Sequence, residues 1–217
     1  MLDTPVRRVI SPGLAAVARV LDRPGVTPDR LTLAGLAAGL GSAVLAGFTW
    51  WLPALVLWLA SRALDGLDGP LARRRAAAAP DGGAGDHDAD AGGFLDLTCD
   101  FVTYAAGVVG VAIGVQAEFG NGVIDLWPFV AVLVAYYLNG TAFLAFSSIA
   151  ERTGHRLDDG RSFSFLGGLA EGTETVVVHS LWLLFPASAP VIAWVWAGVV
   201  GISAGQRIVG GYRTLRS

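Results

Sequence analysis

Six apolar runs, at about residues 31–50, 52–66, 95–116, 127–149, 172–187 and 189–208, constrain what this chain can become. A helix needs roughly 20 residues to cross a hydrocarbon core of about 30 Å. Without water inside that core, the backbone must satisfy its own N–H and C=O groups, which a helix does within one segment. The expected fold is therefore all-α, a polytopic membrane bundle of six transmembrane helices. The second and fifth runs are short and need support from neighbours. Charged residues make up 15% of the chain, against about 25% in an average soluble protein, which agrees with a bilayer as solvent. No loop is long enough to bury a core of its own, so residues 1–217 are expected to form a single membrane domain.

The basic side chains orient this bundle. The chain contains no lysine, and Arg7, Arg8, Arg19, Arg23, Arg30, Arg73, Arg74, Arg75, Arg152, Arg156, Arg161, Arg213 and Arg216 all fall on one side of a six-span arrangement. The opposite connections, near Trp50 to Pro53, Ala117 to Trp127 and Pro186 to Pro190, carry none. Basic residues collect on the cytoplasmic side, so a multi-pass protein of the cell (inner) membrane is expected, with both termini and the two long loops in the cytoplasm. Trp50, Trp51, Trp127 and Trp182 sit near span ends, as an aromatic belt or ordinary lipid-facing packing would have them.

The first twenty residues lack the compact apolar core of a cleavable signal. Within a juxtamembrane segment, residues 1–25, residues 13–22 suit an N-terminal amphipathic surface helix. The single Cys99 excludes an internal disulfide and is expected to be a buried free thiol. A net charge of -3 offers nucleic acid no footprint.

Thr27 is placed to cap the first span, with Pro28 in its first turn. Gly35, Gly39, Gly41 and Gly47 give that span a small-residue face for close helix contact. Residues 74–93 are rich in Arg, Ala, Gly and Asp and are expected to be a flexible cytoplasmic loop. A second loop, roughly 150–171, holds Glu151, Arg152, His155, Arg156, Asp158, Asp159 and Arg161.

The chemistry is concentrated in four aspartates. Asp65 and Asp68 lie three apart at the end of the second span, and Asp96 and Asp100 four apart at the start of the third, so each pair shares a helix face. Four anions on adjoining helices repel one another, and an aspartate near the bilayer centre costs roughly 2.5–3.5 kcal/mol. A positive partner is required. Hard divalent cations take carboxylate oxygens, and Mg2+ in particular is held by a few carboxylates together with substrate phosphates. Gly66 and Gly69 leave room for a ligand against the backbone, and Arg73 offers a forked donor to phosphate. Aspartates at helix ends, solvated and paired with Arg73 to Arg75, are the plain alternative for either pair taken alone.

Asp65-Gly66-Leu67-Asp68-Gly69-Pro70-Leu71-Ala72-Arg73 followed by Gly92-Gly93-Phe94-Leu95-Asp96-Leu97-Thr98-Cys99-Asp100 resembles the signature of the CDP-alcohol phosphatidyltransferase family. The resemblance implies transfer of a substituted phosphoryl group from CDP-diacylglycerol or a related CDP-alcohol to a small alcohol acceptor, with release of CMP, by a homodimer in the lipid bilayer. It implies that Asp65, Asp68, Asp96 and Asp100 bind metal, two Mg2+ ions or alternatively Mn2+, and that Asp100 is the catalytic base. Gly69, Ala72, Arg73 and Gly92 would hold the CDP group, with Asp29 and Thr32 reaching it from the start of the first span.

The chain departs from that signature in its spacer. Residues 74–91 form a longer connection than usual, an expected inserted loop without Ser or Thr. A register using Gly82, Asp86 and Asp90 would restore the usual spacing. It is set aside because no apolar helix is expected to hold those acids. Asp86, His87, Asp88 and Asp90 could bind an extra cation or be a solvated acidic loop.

The acceptor is expected to meet Glu171, Glu174, Arg152, Arg161 or Arg207. The glutamates could equally stabilise a helix N-terminus, and the arginines could contact lipid headgroups. His179 and Tyr104 are expected to pack the bundle with their polar atoms satisfied. A divalent-cation or proton transporter also gathers intramembrane carboxylates, but would carry them near the midplane on interrupted helices.

Overall fold

The computed structural model describes residues 3–78, 86–120, 126–153 and 172–216, and among them every regular element is helical. In chain order these are α1 (Asp3–Leu21), α2 (Pro28–Gly47), α3 (Trp51–Ala78), α4 (Asp86–Phe119), α5 (Trp127–Thr153), α6 (Gly172–Leu184) and α7 (Ala189–Thr214), with a short 3-10 turn at Pro186–Ser188. The apolar runs each fall on a helix. Four segments are both long and apolar enough to cross a membrane: Pro28–Gly47, Asp90–Phe119, Trp127–Thr153 and Pro186–Thr214. Three helices do not meet that description: in α1 only Ser11–Leu21 is apolar, α3 carries its charges in its second half, and α6 is only 13 residues long within the described chain.

Close helix contact builds the half of the bundle that matters for the site. Residue by residue, α2 packs along both α3 and α4, while α5 packs along α7 and α6 leans on α3 and α7. Thr27 caps α2 as expected, its Oγ1 accepting from the Arg30 N–H at 3.2 Å, with Pro28 at the first helical position. Gly35 and Gly39 are buried on α2; a Cβ on Gly39 would lie 2.5 Å from the Thr103 Cγ2 of α4. The tightest crossings come from glycines on α4 that the sequence reading did not single out. A Cβ on Gly110 would sit 2.2 Å from the Ala43 carbonyl oxygen, and one on Gly114 2.0 Å from that of Ala46.

One apolar core then closes the bundle. Trp58 of α3, Val108 and Val111 of α4, Phe129 and Val132 of α5, Trp182 of α6 and Trp196 of α7 are buried against one another. Trp182 is therefore a core residue, not part of an interfacial belt: the ring is 0% exposed and meets Phe129 edge-on at 6.1 Å. Trp50 and Trp127, 61% and 70% exposed, keep the outward position expected of span ends. Cys99 is a buried free thiol.

The long connection after α3 is shorter than the sequence suggests. Residues 74–78 continue α3, and α4 begins at Asp86, so helix covers both ends of the expected loop. Alanine-rich sequence after Arg75 explains the first extension, because Ala is the strongest helix former. At 28 residues α3 is about 42 Å long, enough to carry its polar end beyond a bilayer core. Residues 79–85, with Gly82, lie outside the described residues, as do Glu171, Arg161 and most of the expected second loop.

The N-terminal segment is tied to that polar end. α1 packs on α3, and Leu14, Leu21 and Val26 cover a small cluster of Leu31, Leu67 and Leu71. Beyond it, Arg74 Nε and Arg75 Nε donate to the two carboxylate oxygens of Asp22 at 2.9 and 3.1 Å. Hydrogen bonds first from Arg75 and then from Arg74 hold the Asp22 carboxyl below the ordinary aspartate range.

Overpacking a closed helix crossing costs about 1–3 kcal/mol, so Gly110→Ala is expected to lower the melting temperature in detergent by several degrees. Gly198→Ala, where an added Cβ meets nothing within 4 Å, is expected to leave it unchanged or slightly raised. Equal effects at the two positions would contradict the packing described.

Candidate active site and its carboxylate cluster

α2, α3 and α4 meet where the acids stand. Asp65 and Asp68 project from α3, Asp96 and Asp100 from α4. Asp65 lies within electrostatic reach of Asp100, Asp96 and Asp68, so the two helices bring their carboxylates to one place. Asp68 is the most enclosed, 8% exposed. Its Oδ2 accepts from Thr32 Oγ1 at 2.6 Å and its Oδ1 from the Gly69 N–H at 2.6 Å. Thr32 Oγ1 also lies 3.2 Å from the Pro28 carbonyl oxygen. The shorter contact to a charged acceptor is the stronger one. Thr32 thus ties the start of α2 to the second acid of α3.

Asp65 and Asp100 share a cation that the sequence reading passed over. Arg62, one turn before Asp65, donates through Nη1 to Asp100 Oδ1 at 2.5 Å, and the same nitrogen lies 3.6 Å from Asp65 Oδ1. Its side chain is 8% exposed, whereas those of Asp65 and Asp100 are each 26% exposed. Nη1 also reaches Tyr104 OH at 3.3 Å, and Nη2 donates to Ser61 Oγ at 3.0 Å. Ser61 in turn donates to the Gly35 carbonyl of α2 at 2.7 Å. The guanidinium carbon stands 5.2 Å from the ring centroids of both Trp58 and Tyr104, within cation-π range. A lone arginine inside an apolar run was the available signal, since an intramembrane ionisable residue marks a functional site by default.

The donor set suits divalent cations in its chemistry. Four aspartates supply hard carboxylate oxygens of the kind such ions take, with the Arg62 guanidinium between Asp65 and Asp100. The acids are not preassembled, however. Among the described residues no three His, Cys, Asp or Glu side chains form a ready cation-ligating group. Asp100 is turned to Arg62, and Asp68 to Thr32.

Around the acids, the remaining expected donor residues fall into two places. Gly69 lets Arg73 fold back along α3: a Cβ on Gly69 would lie 3.3 Å from Arg73 Nη1. Ala72 and Arg73 are both exposed there. Across the opening, Gly92 of α4 adjoins the start of α2, a Cβ at Gly92 falling 3.9 Å from Asp29 Oδ1. The register with Asp86 and Asp90 was set aside for want of a helix, and that reason does not stand, because both lie on α4. What separates the registers is burial: Asp90 is exposed, while Asp96 and Asp100 are half-buried facing α3.

The acceptor candidates are spread over the other helices. Arg207 is buried on α7, its guanidinium carbon 5.9 Å from the Phe143 ring centroid of α5. Glu174 is half-buried in the first turn of α6, and Arg152 is exposed in the last turn of α5. Glu171 and Arg161 lie outside the described residues. His179 packs as expected, stacked on Trp58 at 4.8 Å with Nε2 3.0 Å from Tyr136 OH. Tyr104 packs too, but by touching Arg62 it also edges the site.

Removing a hydrogen-bond donor from a buried carboxylate costs about 1–3 kcal/mol. Thr32→Val is therefore expected to lower the melting temperature measured without divalent cations, and Thr32→Ser to restore most of it. Indistinguishable melting of Thr32→Val and the natural chain would show that the contact to Asp68 carries no weight.

No protein-family model matches the chain. It is 39% identical over 221 residues to the inner membrane protein YnjF of Escherichia coli (strain K12), covering 100% of this chain and 98% of that one. Its fold is similar to that of Mycobacterium tuberculosis phosphatidylinositol phosphate synthase (PgsA1) in a crystal structure with CDP-DAG bound. There the TM-score is 0.68 at 22% identity, over 92% of this chain and 93% of that one. A second crystal structure of the same synthase, in complex with manganese and citrate, gives 0.68 at 23% identity over 92% and 88% of the two chains.

Proposed function

This chain belongs to the CDP-alcohol phosphatidyltransferase family, and from that premise we propose that it transfers a phosphatidyl or similar substituted phosphoryl group from CDP-diacylglycerol or a related CDP-alcohol to the hydroxyl of a small alcohol, releasing CMP, as a step of phospholipid synthesis. The observation that carries this reading is that α3 and α4 bring Asp65 and Asp100 onto one buried guanidinium, with Asp68 and Asp96 within electrostatic reach of Asp65. The fold shared with a synthase crystallised with CDP-DAG supports the donor class.

Asp65, Asp68, Asp96 and Asp100 are the residues we assign to hold two divalent cations, Mg2+ or Mn2+. The manganese complex of the similar synthase supports a divalent ion. Bound there, such ions would neutralise the donor diphosphate and polarise the phosphorus under attack. Gly69, Ala72 and Gly92 leave open backbone for the CDP group, and Arg73 supplies a forked donor to a phosphate oxygen. Thr32 keeps Asp68 in one rotamer, and Asp29 borders the same opening. Arg62 engages Asp100 through Oδ1. The other oxygen, Oδ2, is the one we assign to accept the proton of the acceptor hydroxyl. Glu174, Arg207, Arg152, Glu171 and Arg161 are the candidates for reading the acceptor. Catalysis then rests mainly on positioning and charge, as in other phosphoryl transfers.

In the same reading α3 and α6 complete six spans, α3 by neutralising its acids within the site. The whole chain forms one domain, dimeric in the inner membrane, with the acids on the arginine-rich cytoplasmic side. The inner membrane relative supports the location.

Purified protein incubated with CDP-diacylglycerol, Mg2+ and a panel of alcohols is expected to release CMP with one acceptor class only. Loss of a positioned base costs about 10²–10⁴-fold, so Asp100→Asn should abolish that release within assay limits. CMP release that does not depend on the acceptor would contradict the transferase, and no CMP under any condition would favour a cation or proton transporter.

A further inference from the structure

Resting on the donor-binding role proposed for Arg73, we infer that Asp22 is a positioning residue for the CDP-alcohol: by tying Arg74 and Arg75 to the end of α1, it fixes the part of α3 that presents Arg73 to a diphosphate. The need for such a tie arises at Pro70, inside α3. Proline has no N–H to give the carbonyl four residues earlier, here that of Gly66, and its ring crowds that carbonyl, so a helix bends most readily at such a point. Arg73 lies beyond this point, whereas Asp65 and Asp68 lie before it. Of the residues that follow, Leu71 is fully buried, but Ala72, Arg73, Arg74 and Ala76 to Ala78 are exposed. Burial within the bundle therefore does little to hold the direction of this segment.

α1 supplies the missing hold. It spans the weak point from outside: a Cβ on Gly66 would lie 3.7 Å from Leu14 Cδ1. Leu14 and Leu21 pack against the cluster of Leu31, Leu67 and Leu71, whose last two members stand on either side of Pro70. The chain then turns, and Asp22 accepts from Arg74 Nε on Oδ2 at 2.9 Å and from Arg75 Nε on Oδ1 at 3.1 Å. Arg75 Nη2 also donates to the Arg23 carbonyl at 3.2 Å. The turn is itself braced. Gly25 takes the left-handed region at φ 95°, the Val26 N–H donates to the Arg23 carbonyl at 3.2 Å, and Arg30 Nη1 donates to the Gly25 carbonyl. One carboxylate thus fixes two successive residues of α3 against a braced turn, and the residue before them is Arg73. The Arg73 side chain folds back along α3, where a Cβ on Gly69 would lie 3.3 Å from its Nη1. Asp22 bonds to Arg74 and Arg75 and acts on Arg73 through them.

The test uses the full-length protein in detergent with Mg2+, measuring binding of CDP-glycerol, a water-soluble CDP-alcohol, by calorimetry and CMP release at varied CDP-diacylglycerol. The Asp22 side chain is 27% exposed and water screens its pairing, so Asp22→Asn is expected to weaken CDP-glycerol binding and raise the donor KM by about threefold to tenfold. The kcat should stay within about twofold, since an interaction that serves binding alone appears in KM. Asp22→Glu is expected to restore the natural values. In an Arg73→Gln background, Asp22→Asn should add nothing further, because it acts through Arg73. A general loosening of the fold would instead weaken both backgrounds alike. Unchanged binding in Asp22→Asn, an equal loss in both backgrounds, or a fall confined to kcat overturns the inference. Should Asp22→Asn not fold, Arg74→Gln combined with Arg75→Gln cuts the same tie from α3, and unchanged binding there overturns it equally. Failure of the donor reading looks different: Arg73→Gln itself then leaves CDP-glycerol binding unchanged, or no CMP appears with any acceptor, and this inference fails with it. If Arg73→Gln weakens binding and Asp22→Asn does not, only the role of Asp22 fails.

Discussion

Like charges do not gather in a low-dielectric interior unless something holds them there, and in this chain four carboxylates gather from two helices. At an effective dielectric near 20, two unit charges 4 Å apart repel by about 4 kcal/mol. Arg62 and Thr32 relieve part of that load within the protein. The proposed function follows from this gathering of like charge, which divalent cations would relieve further. In the proposed reaction, cations held by these acids would also meet the phosphates of the donor.

The helix packing follows from the same requirement. For Asp65 to feel Asp96 and Asp100, α3 and α4 must be held at fixed separation, and α2 does so by packing along both. Gly35 and Gly39 on α2, with Gly110 and Gly114 on α4, remove the side chains that would push these axes apart. Ser61 adds a polar link between the layers, donating to Gly35 and accepting from Arg62. Without a hydrophobic drive between helices in lipid, close approach and interhelical hydrogen bonds supply the association. The glycines thus set the separation at which the carboxylates of α3 and α4 stand.

Much of this was legible in the residues. Apolar runs located the helices because a bilayer enforces length, and the spacing of Asp65, Asp68, Asp96 and Asp100 located the acids because helical periodicity puts them on one face. Thr27 and Pro28 gave the start of α2 from capping chemistry alone. What failed were features that depend on partners distant in sequence. Trp182 near a run's end looked interfacial, but only the fold reveals that Phe129 and His179 cover it. Polar residues 74–78 and 86–91 looked like loop, yet alanine propensity and continuity with flanking helix extend α3 and α4 into them. Arg62 stands alone in an apolar run, away from the arginine-rich connections, and its neighbours in sequence do not name its partner. Its meaning lies in Asp100, which is 38 residues away.

Crystallographic location of the cations would test the heart of this account most directly. Crystals of the protein grown with Mn2+ and a CDP-alcohol, measured at the manganese absorption edge, should give anomalous peaks lying between the α3 and α4 carboxylates and shared by acids of both helices. Peaks confined to one helix, or found only at exposed acids such as Asp90, would contradict it.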